Sequence, residues 1–182
     1  MPLKKKKIKS GIFWITGLSG SGKTSIARMF NDYLKKKYLK VIWLDGDKLR
    51  KKLKLFHNTN TFSYNFRIKL GKKYSRIARS YEKKGYFVIV SVMALSKEVY
   101  KFNKHYIKNY HEIYLNVPLS ELKKRDPKKI YRNFQLGKIK NVAGLDVKFE
   151  KPLKPSLALN WKKGMTRKII FKNLKNYFYK HY

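Results

Sequence analysis

Residues 17–24 read Gly17-Leu18-Ser19-Gly20-Ser21-Gly22-Lys23-Thr24, a G-x-x-x-x-G-K-T series. A sharp turn between a strand and a helix is the setting in which such a series binds phosphate. Its glycines let successive backbone N–H groups turn inward around phosphate oxygens. Lys23 is spaced to reach the β- and γ-phosphates, and the Thr24 hydroxyl to hold Mg²⁺. The flanks agree. Ile12-Phe13-Trp14-Ile15 reads as a buried parallel strand, and Ser25-Ile26-Ala27-Arg28-Met29-Phe30 opens an amphipathic helix. Backbone donors at a helix start favour anions, so Ser25 joins the cradle. The expected ATP site is therefore Gly17, Leu18, Ser19, Gly20, Ser21, Gly22, Lys23, Thr24 and Ser25. The bland alternative is a glycine-rich surface turn.

Apolar runs alternate with helical patterns along the rest of the chain. Val41–Leu44 reads as a second strand ending at Asp45, followed by a helix around Leu49–Leu55 and a polar turn at His57–Asn60. A helical pattern from Ser63 to Lys84 stops at Gly85, a good helix-stop residue. Tyr86–Val90 and Glu112–Val117 read as strands, with a helix over Lys97–Asn109 between them and a short helix opening at Pro118 and Ser120. Leu157–Leu159 reads as the last strand and Lys162–Tyr179 as a closing helix. Strands alternating with helices predict an α/β fold: a P-loop three-layer sandwich around a parallel sheet of about five strands. All 182 residues fit one domain, with residues 1–10 as a basic arm. Residues 126–155 carry Pro127, Pro152, Pro155, Gly137 and Gly144 with little periodicity, and read as a mobile lid.

The formal net charge is +36, and lysine supplies 38 of the 46 basic residues. Such charge invites a nucleic-acid reading. The lysines are spread along the chain, however, and Asn, Ile, Tyr and Phe are also abundant, so compositional drift is an alternative cause. Nucleic acid is therefore not expected as the main partner; a small anionic nucleotide is. No apolar stretch approaches the roughly 18 residues of a membrane span. The N-terminus lacks a secretory apolar core. The absence of cysteine fits a reducing compartment, so a cytoplasmic location is expected.

Ten carboxylates serve the whole chain, which makes their positions informative. Asp45 and Asp47 stand two apart in Leu44-Asp45-Gly46-Asp47, at the carboxyl end of the second strand. Ligands of open α/β sheets gather at that end, so both acids are expected to face the phosphate loop. Phosphoryl transfer needs a placed Mg²⁺ and a group that orients or deprotonates the attacking hydroxyl. Asp47 is the candidate base and Asp45 the candidate metal ligand, through water, beside Thr24. The alternative is an Asp-Gly turn that merely caps the next helix.

At this point the residues resemble a family, the adenylyl-sulfate kinases, which phosphorylate the ribose 3′-hydroxyl of adenylyl sulfate. The likeness spans roughly residues 10–160. It rests on Gly17–Thr24, on Leu44-Asp45-Gly46-Asp47 followed by Arg50, and on RDPKKIYRNFQLGKIKNVAGLDVKFEKP over residues 125–152. The last resembles the family's RDPKGLY, GEIKNFTGID and PYEPP series in the same order. The resemblance implies that Arg50 and Arg67 grip the anionic end of the acceptor, as planar bidentate donors do well. It also implies that Phe62 and Phe149 sandwich the acceptor base and that Lys140 approaches the acceptor. Arg125 and Arg132 are implied to contact phosphate or ATP. ATP and Mg²⁺ are the implied cofactors, and a homodimer is compatible. A solvated basic face remains the alternative for the arginines, and a core position for Phe62.

The departures fall on the acceptor side. The family's Asp-Arg-x-x-Asn segment stands here as Phe66-Arg67-Ile68-Lys69-Leu70, and the Asn after its second Asp is Lys48. A serine of the family, sometimes assigned as a phosphorylated intermediate, is Ala94. That leaves direct in-line transfer as the expected mechanism. Residues Met93–Tyr114 look more like a branch from surface-polysaccharide clusters, one member type of which phosphorylates cytidine diphosphoramidate. Adenylyl sulfate is the expected acceptor and another nucleotide, such as cytidine diphosphoramidate, the alternative. A nucleic-acid-binding or inactive P-loop protein is the lesser one.

Overall fold

The structure is a computed structural model that describes residues 10–37, 39–52, 63–93 and 96–182. Its centre is β1 (Ile12–Thr16), every residue of which is buried. Burial on both faces explains the unbroken apolar run, as expected of a parallel strand flanked by helices. β1 pairs in parallel with β3 (Phe87–Ser91) on one side and with β4 (Tyr110–Asn116) on the other. β2 (Val41–Asp45) and β5 (Leu157–Asn160) complete a five-stranded parallel sheet in the order β2-β3-β1-β4-β5. The sequence-based fold class is therefore correct.

Alternation along the strands splits the core in two. Ile12, Trp14, Val88 and Val90 pack with α3 (Tyr64–Lys83) and α4 (Lys97–Tyr106) through Leu70, Tyr74, Ala78, Val99 and Tyr100. Phe13, Ile15, Ile89, Ile113 and Leu115 face α1 (Lys23–Lys36) and α7 (Arg167–His181) through Ile26, Phe30, Leu34, Leu174 and Phe178. Neighbouring strands β1 and β3 thus send their following helices to opposite faces. The crevice that opens between their carboxyl ends is where ligands of such sheets bind.

Several boundaries differ from the sequence reading, each for a local reason. α2 (Gly46–Lys52) starts three residues before the expected Leu49. The Asp45 carboxylate accepts from the backbone N–H groups of Asp47 and Lys48 at 3.2 and 3.3 Å and so caps the helix. β4 begins at Tyr110, before its apolar run, because Tyr110 and His111 pair with Ile12 and Phe13. α4 ends at Tyr106, where Ile107 turns extended and buries its side chain. α7 starts at Arg167, capped by the Thr166 hydroxyl, which accepts from the Ile169 N–H at 3.3 Å. The expected helical stretch Leu53–Leu55 and the turn at His57–Asn60 lie outside the described residues.

Residues 126–155 hold a helix the sequence did not announce, α6 (Ile130–Gln135), after the short α5 (Leu119–Arg125). Tyr131 is 1% exposed and its hydroxyl donates to the Ser19 carbonyl at 3.0 Å, seating α6 on the phosphate loop. Leu18, Val117, Leu122, Val142 and Ala143 form a small separate core beneath it. Glu150 ties the far end down, accepting from the Tyr64 hydroxyl at 2.8 Å and the Lys97 N–H at 2.9 Å.

Candidate active site

The phosphate loop needs its glycines. Gly20 and Gly22 sit at φ 76° and 96°, where a side chain is strained. At Gly17 a Cβ would meet the Leu115 carbonyl oxygen at 2.7 Å and the Ser21 Oγ at 2.8 Å. Among the described residues the buried Ser21 Oγ has no hydrogen-bond partner, and Lys23 Nζ donates to the Leu18 carbonyl at 2.7 Å. Burial, with the Lys128 charge second, lowers the Lys23 ammonium from 10.5 to about 7. An orphaned hydroxyl beside an under-compensated ammonium, at the start of α1, is chemistry that suits a bound polyphosphate.

Across a cleft of about 1210 Å³ from the loop stand the two acids. Asp45 is 7% exposed and fully engaged. Besides capping α2, its Oδ2 accepts from Ser91 Oγ at 2.9 Å and from Thr24 Oγ1 at 3.3 Å. Ser91 in turn accepts from Trp43 Nε1 at 2.9 Å. The two readings of Asp45, helix cap and site residue, are thus both true of one carboxylate. Thr24 and Asp45 together offer hard oxygen donors side by side, which fits Mg²⁺.

Asp47 instead projects from the first turn of α2, exposed toward the cleft. Its Oδ2 accepts from Lys128 Nζ at 2.5 Å and its Oδ1 lies 3.6 Å from Arg50. Burial alone would raise its pKa, but the hydrogen bond and charge of Lys128, with Arg50 and Lys23, outweigh that and hold it below the ordinary carboxylate value. Asp47 is therefore ionised at neutral pH.

Arg50 and Arg67 come together from α2 and α3, lining one recess with Leu70, Tyr74, Val92 and Met93. Burial first, and the Arg50 charge second, lowers the Arg67 guanidinium to about 10. Arg67 Nη2 also donates to the Asn141 carbonyl at 2.8 Å, joining α3 to the 126–155 segment. Leu70, standing where the resemblance expects an asparagine, is 7% exposed and gives this wall no hydrogen bond.

The remaining expected residues divide. Ser19, Gly20, Ser21, Gly22, Ser25, Arg125 and Lys140 border the cleft. Arg125 is held by Glu121 at 2.8 Å and lies 5.9 Å from the Trp161 ring centroid. Gly17 and Leu18 lie behind the cleft wall as supports; Leu18 packs into the small core. Phe149 packs against that same core and does not border the cleft, and Arg132 is exposed outside it. Phe62 and Ala94 lie outside the described residues.

Sequence reasoning missed Ser91, Lys128 and the start of the last helix, where Met165, Arg167 and Ile170 reach the cleft. Ser91 carried a usable signal: it is polar, it ends a strand, and it sits at the level of Asp45. Lys128 carried none, being one lysine among many.

Comparison with known proteins agrees with this geometry. The family model described as adenylylsulphate kinase matches residues 9–160. A cytidine diphosphoramidate kinase of Campylobacter jejuni is 38% identical over 141 residues, 78% of this chain and 81% of that protein. An adenylyl-sulfate kinase of Pseudomonas aeruginosa is 31% identical over 157 residues, 85% of this chain and 79% of that protein. Among solved structures, the Mycobacterium tuberculosis APS kinase CysC in complex with AMPPNP and APS superposes with a TM-score of 0.84 at 26% identity. That match covers 94% of this chain and 98% of the other.

Proposed function

The chain belongs to the adenylylsulphate kinase family, and from that premise we propose that it moves the γ-phosphoryl group of ATP onto a ribose hydroxyl of a nucleotide acceptor. One observation carries the reading: an ionised, cleft-facing carboxylate, Asp47, stands opposite a complete phosphate loop. Lys23 and the loop N–H groups bind the donor phosphates. Thr24 and Asp45 would hold the Mg²⁺ that accompanies them, and the ion would supply charge neutralisation there. Asp47 accepts the proton of the attacking hydroxyl. Arg50 and Arg67, which share a recess, hold the acceptor's anionic tail. With alanine at position 94, transfer proceeds directly, without a phosphoserine at that position. Residues 126–155 serve as the lid, covering the loop through Tyr131 and excluding water from the transfer.

Two acceptors compete, and the substitutions weigh on the choice. A site built to hydrogen-bond one base rejects another by leaving a polar group unpaired, so apolar Leu70 removes a discriminating contact. Together with the similarity to the Campylobacter jejuni enzyme, that favours a cytidine diphosphate derivative of the cytidine diphosphoramidate kind. Retention of Arg50 and Arg67 and the several adenylyl-sulfate kinases among the relatives support adenylyl sulfate as the second reading.

The deciding experiment is a coupled ADP-release assay with Mg·ATP against adenylyl sulfate and cytidine diphosphoramidate. Turnover with the cytidine nucleotide alone supports the first reading, turnover with adenylyl sulfate alone the second. Turnover with neither would defeat both.

A further inference from the structure

We infer that Trp43 is a positioning residue: its indole N–H, acting through the Ser91 hydroxyl, fixes the Asp45 carboxylate at Thr24 and so sets how much nucleotide affinity the site gains from Mg²⁺. The inference rests on the phosphate-loop and Mg²⁺ parts of the reading above and is independent of which acceptor the cleft takes.

The sheet brings the three groups together. Trp43 and Asp45 stand two apart on β2, so their side chains share a face, and Asp45 is in register with Ser91 of β3. Ser91 is thus the direct neighbour of Asp45 and the diagonal neighbour of Trp43, within reach of a long side chain. Trp43 Nε1 lies 2.9 Å from Ser91 Oγ, and Ser91 Oγ lies 2.9 Å from Asp45 Oδ2. Ser91 is 4% exposed and Asp45 7%, which limits competition from water at both.

Counting hydrogens gives the relay a direction. An indole nitrogen only donates, and a hydroxyl carries one hydrogen. Ser91 therefore accepts from Trp43 and gives its own hydrogen to Asp45. Thr24 Oγ1 gives its single hydrogen to the same Oδ2 at 3.3 Å, and Oδ1 takes the N–H groups of Asp47 and Lys48. A carboxylate offers about four acceptor sites, and among the described residues four donors meet them. Held in this way the carboxylate cannot turn. Thr24, its hydrogen committed to Asp45, keeps its oxygen lone pairs for a hard cation. Without the indole hydrogen the Ser91 hydroxyl keeps its proton but loses the restraint on where it points.

Lys48, one of the departures on the acceptor side, belongs to the same device. Its ammonium stands 5.3 Å from the Trp43 ring centroid, and its N–H donates to Asp45 Oδ1 at 3.3 Å. A cation over an indole face is attracted to it. Lys48 therefore pins the ring at one end of the relay and the carboxylate at the other. The competing reading is that Trp43 only packs, since its ring also lies against the core facing α1. Trp43→Phe separates the two, because it keeps an aromatic ring and removes the hydrogen.

The test measures binding of a non-hydrolysable ATP analogue, with and without Mg²⁺, to wild type, Trp43→Phe, Ser91→Ala and the double variant. Trp43→Phe should lower the Mg²⁺-dependent gain in affinity by about fivefold, the size of one neutral hydrogen bond. Its metal-free affinity should stay within about twofold of wild type. Ser91→Ala should lower the gain by about tenfold, and the double variant no further, because the indole acts only through the hydroxyl. A spectroscopic readout on the metal-free protein checks the geometry. The indole N–H resonance of Trp43, one of three, is the one missing from Trp43→Phe. It should move in Ser91→Ala, and in wild type when the analogue binds with Mg²⁺. A gain from Mg²⁺ in Trp43→Phe equal to wild type, or a loss of affinity equal with and without the metal, overturns the inference. So do additive losses in the double variant, or a resonance indifferent to Ser91→Ala; Trp43 is then packing alone. Wild type that binds the analogue no better with Mg²⁺ overturns it too. If wild type phosphorylates neither acceptor yet the variants show the expected pattern, the acceptor reading fails and the role of Trp43 stands.

Discussion

The two ends of this one sheet are built on opposite principles. At the amino end, Phe13 stacks on His111 with centroids 4.7 Å apart, and Phe30, Phe87, Phe178 and Tyr182 close around them. The His111 ring there has both nitrogens satisfied, by the Tyr177 and Tyr182 hydroxyls at 2.9 Å each. At the carboxyl end, among the described residues, the Lys23 ammonium has a backbone carbonyl as its hydrogen-bond partner and the Ser21 hydroxyl has none. The imidazole is settled at one end, and an ammonium and a hydroxyl are left wanting at the other. Stability and chemistry occupy separate ends, joined by strands five to seven residues long in β1, β3 and β4. Substitutions at one end should therefore leave the other's property alone.

Four experiments press on that separation. Lys23→Ala has the largest effect: turnover should fall by at least about 1,000-fold, since it strips the charge that stabilises the transferred phosphoryl. Its urea midpoint should match or exceed wild type, because an under-compensated buried ammonium is gone. A large loss of stability would break the comparison from the site side. Phe178→Ala comes next and is its mirror image. It empties a position that is 6% exposed and meets six aromatic rings, so unfolding free energy should drop by about 3–5 kcal/mol. Activity per folded molecule, taken from chemical denaturation and kinetics on one sample, should hold.

Asp47→Asn keeps the shape of the site while removing the proton acceptor. Turnover should fall by about 100-fold or more, with binding of a non-hydrolysable ATP analogue within about threefold of wild type. Wild-type turnover in this variant would remove Asp47 from the mechanism.

The smallest effect is a pH dependence of the aromatic end. Burial first, and the His181 charge second, lowers the His111 pKa from 6.5 to about 4. The native ring thus stays neutral while the unfolded chain takes up a proton as pH falls. Stability from this group is complete above about 6.5 and drains away between there and about 4. Discounted for the ring's partial exposure, the loss on going from pH 7 to 5 is about 1 kcal/mol. Urea midpoints at the two pH values should show it, and His111→Phe should flatten the difference.

What the sequence disclosed follows the reach of each interaction. The phosphate loop was legible because its geometry is local: spaced glycines, a lysine and a threonine within eight residues define it. The strands were legible because burial on both faces leaves only apolar residues to choose from. Asp45 was half legible; its place at a strand end was evident, its simultaneous grip on α2 and on Thr24 was not, because that needs Ser91 and Thr24 in space. Lys128 and Arg167 were illegible for a plainer reason. Each joins the cleft from a remote segment, and a chain with 38 lysines offers no contrast against which one of them stands out. Phe149, whose role came from resemblance alone, packs against the small core beneath α6.

Asp45 also sets a limit on how this chain can change. One carboxylate anchors the helix that presents Asp47 and Arg50 and touches the hydroxyl that ends the phosphate loop. An amide there would keep the cap and surrender the negative charge. A serine would keep a weaker cap and fall short of Thr24. A glutamate would keep the charge and misplace the helix start. Two demands that single substitutions could otherwise satisfy separately have been fused at one position, so the acceptor pocket is free to drift around a point that is not.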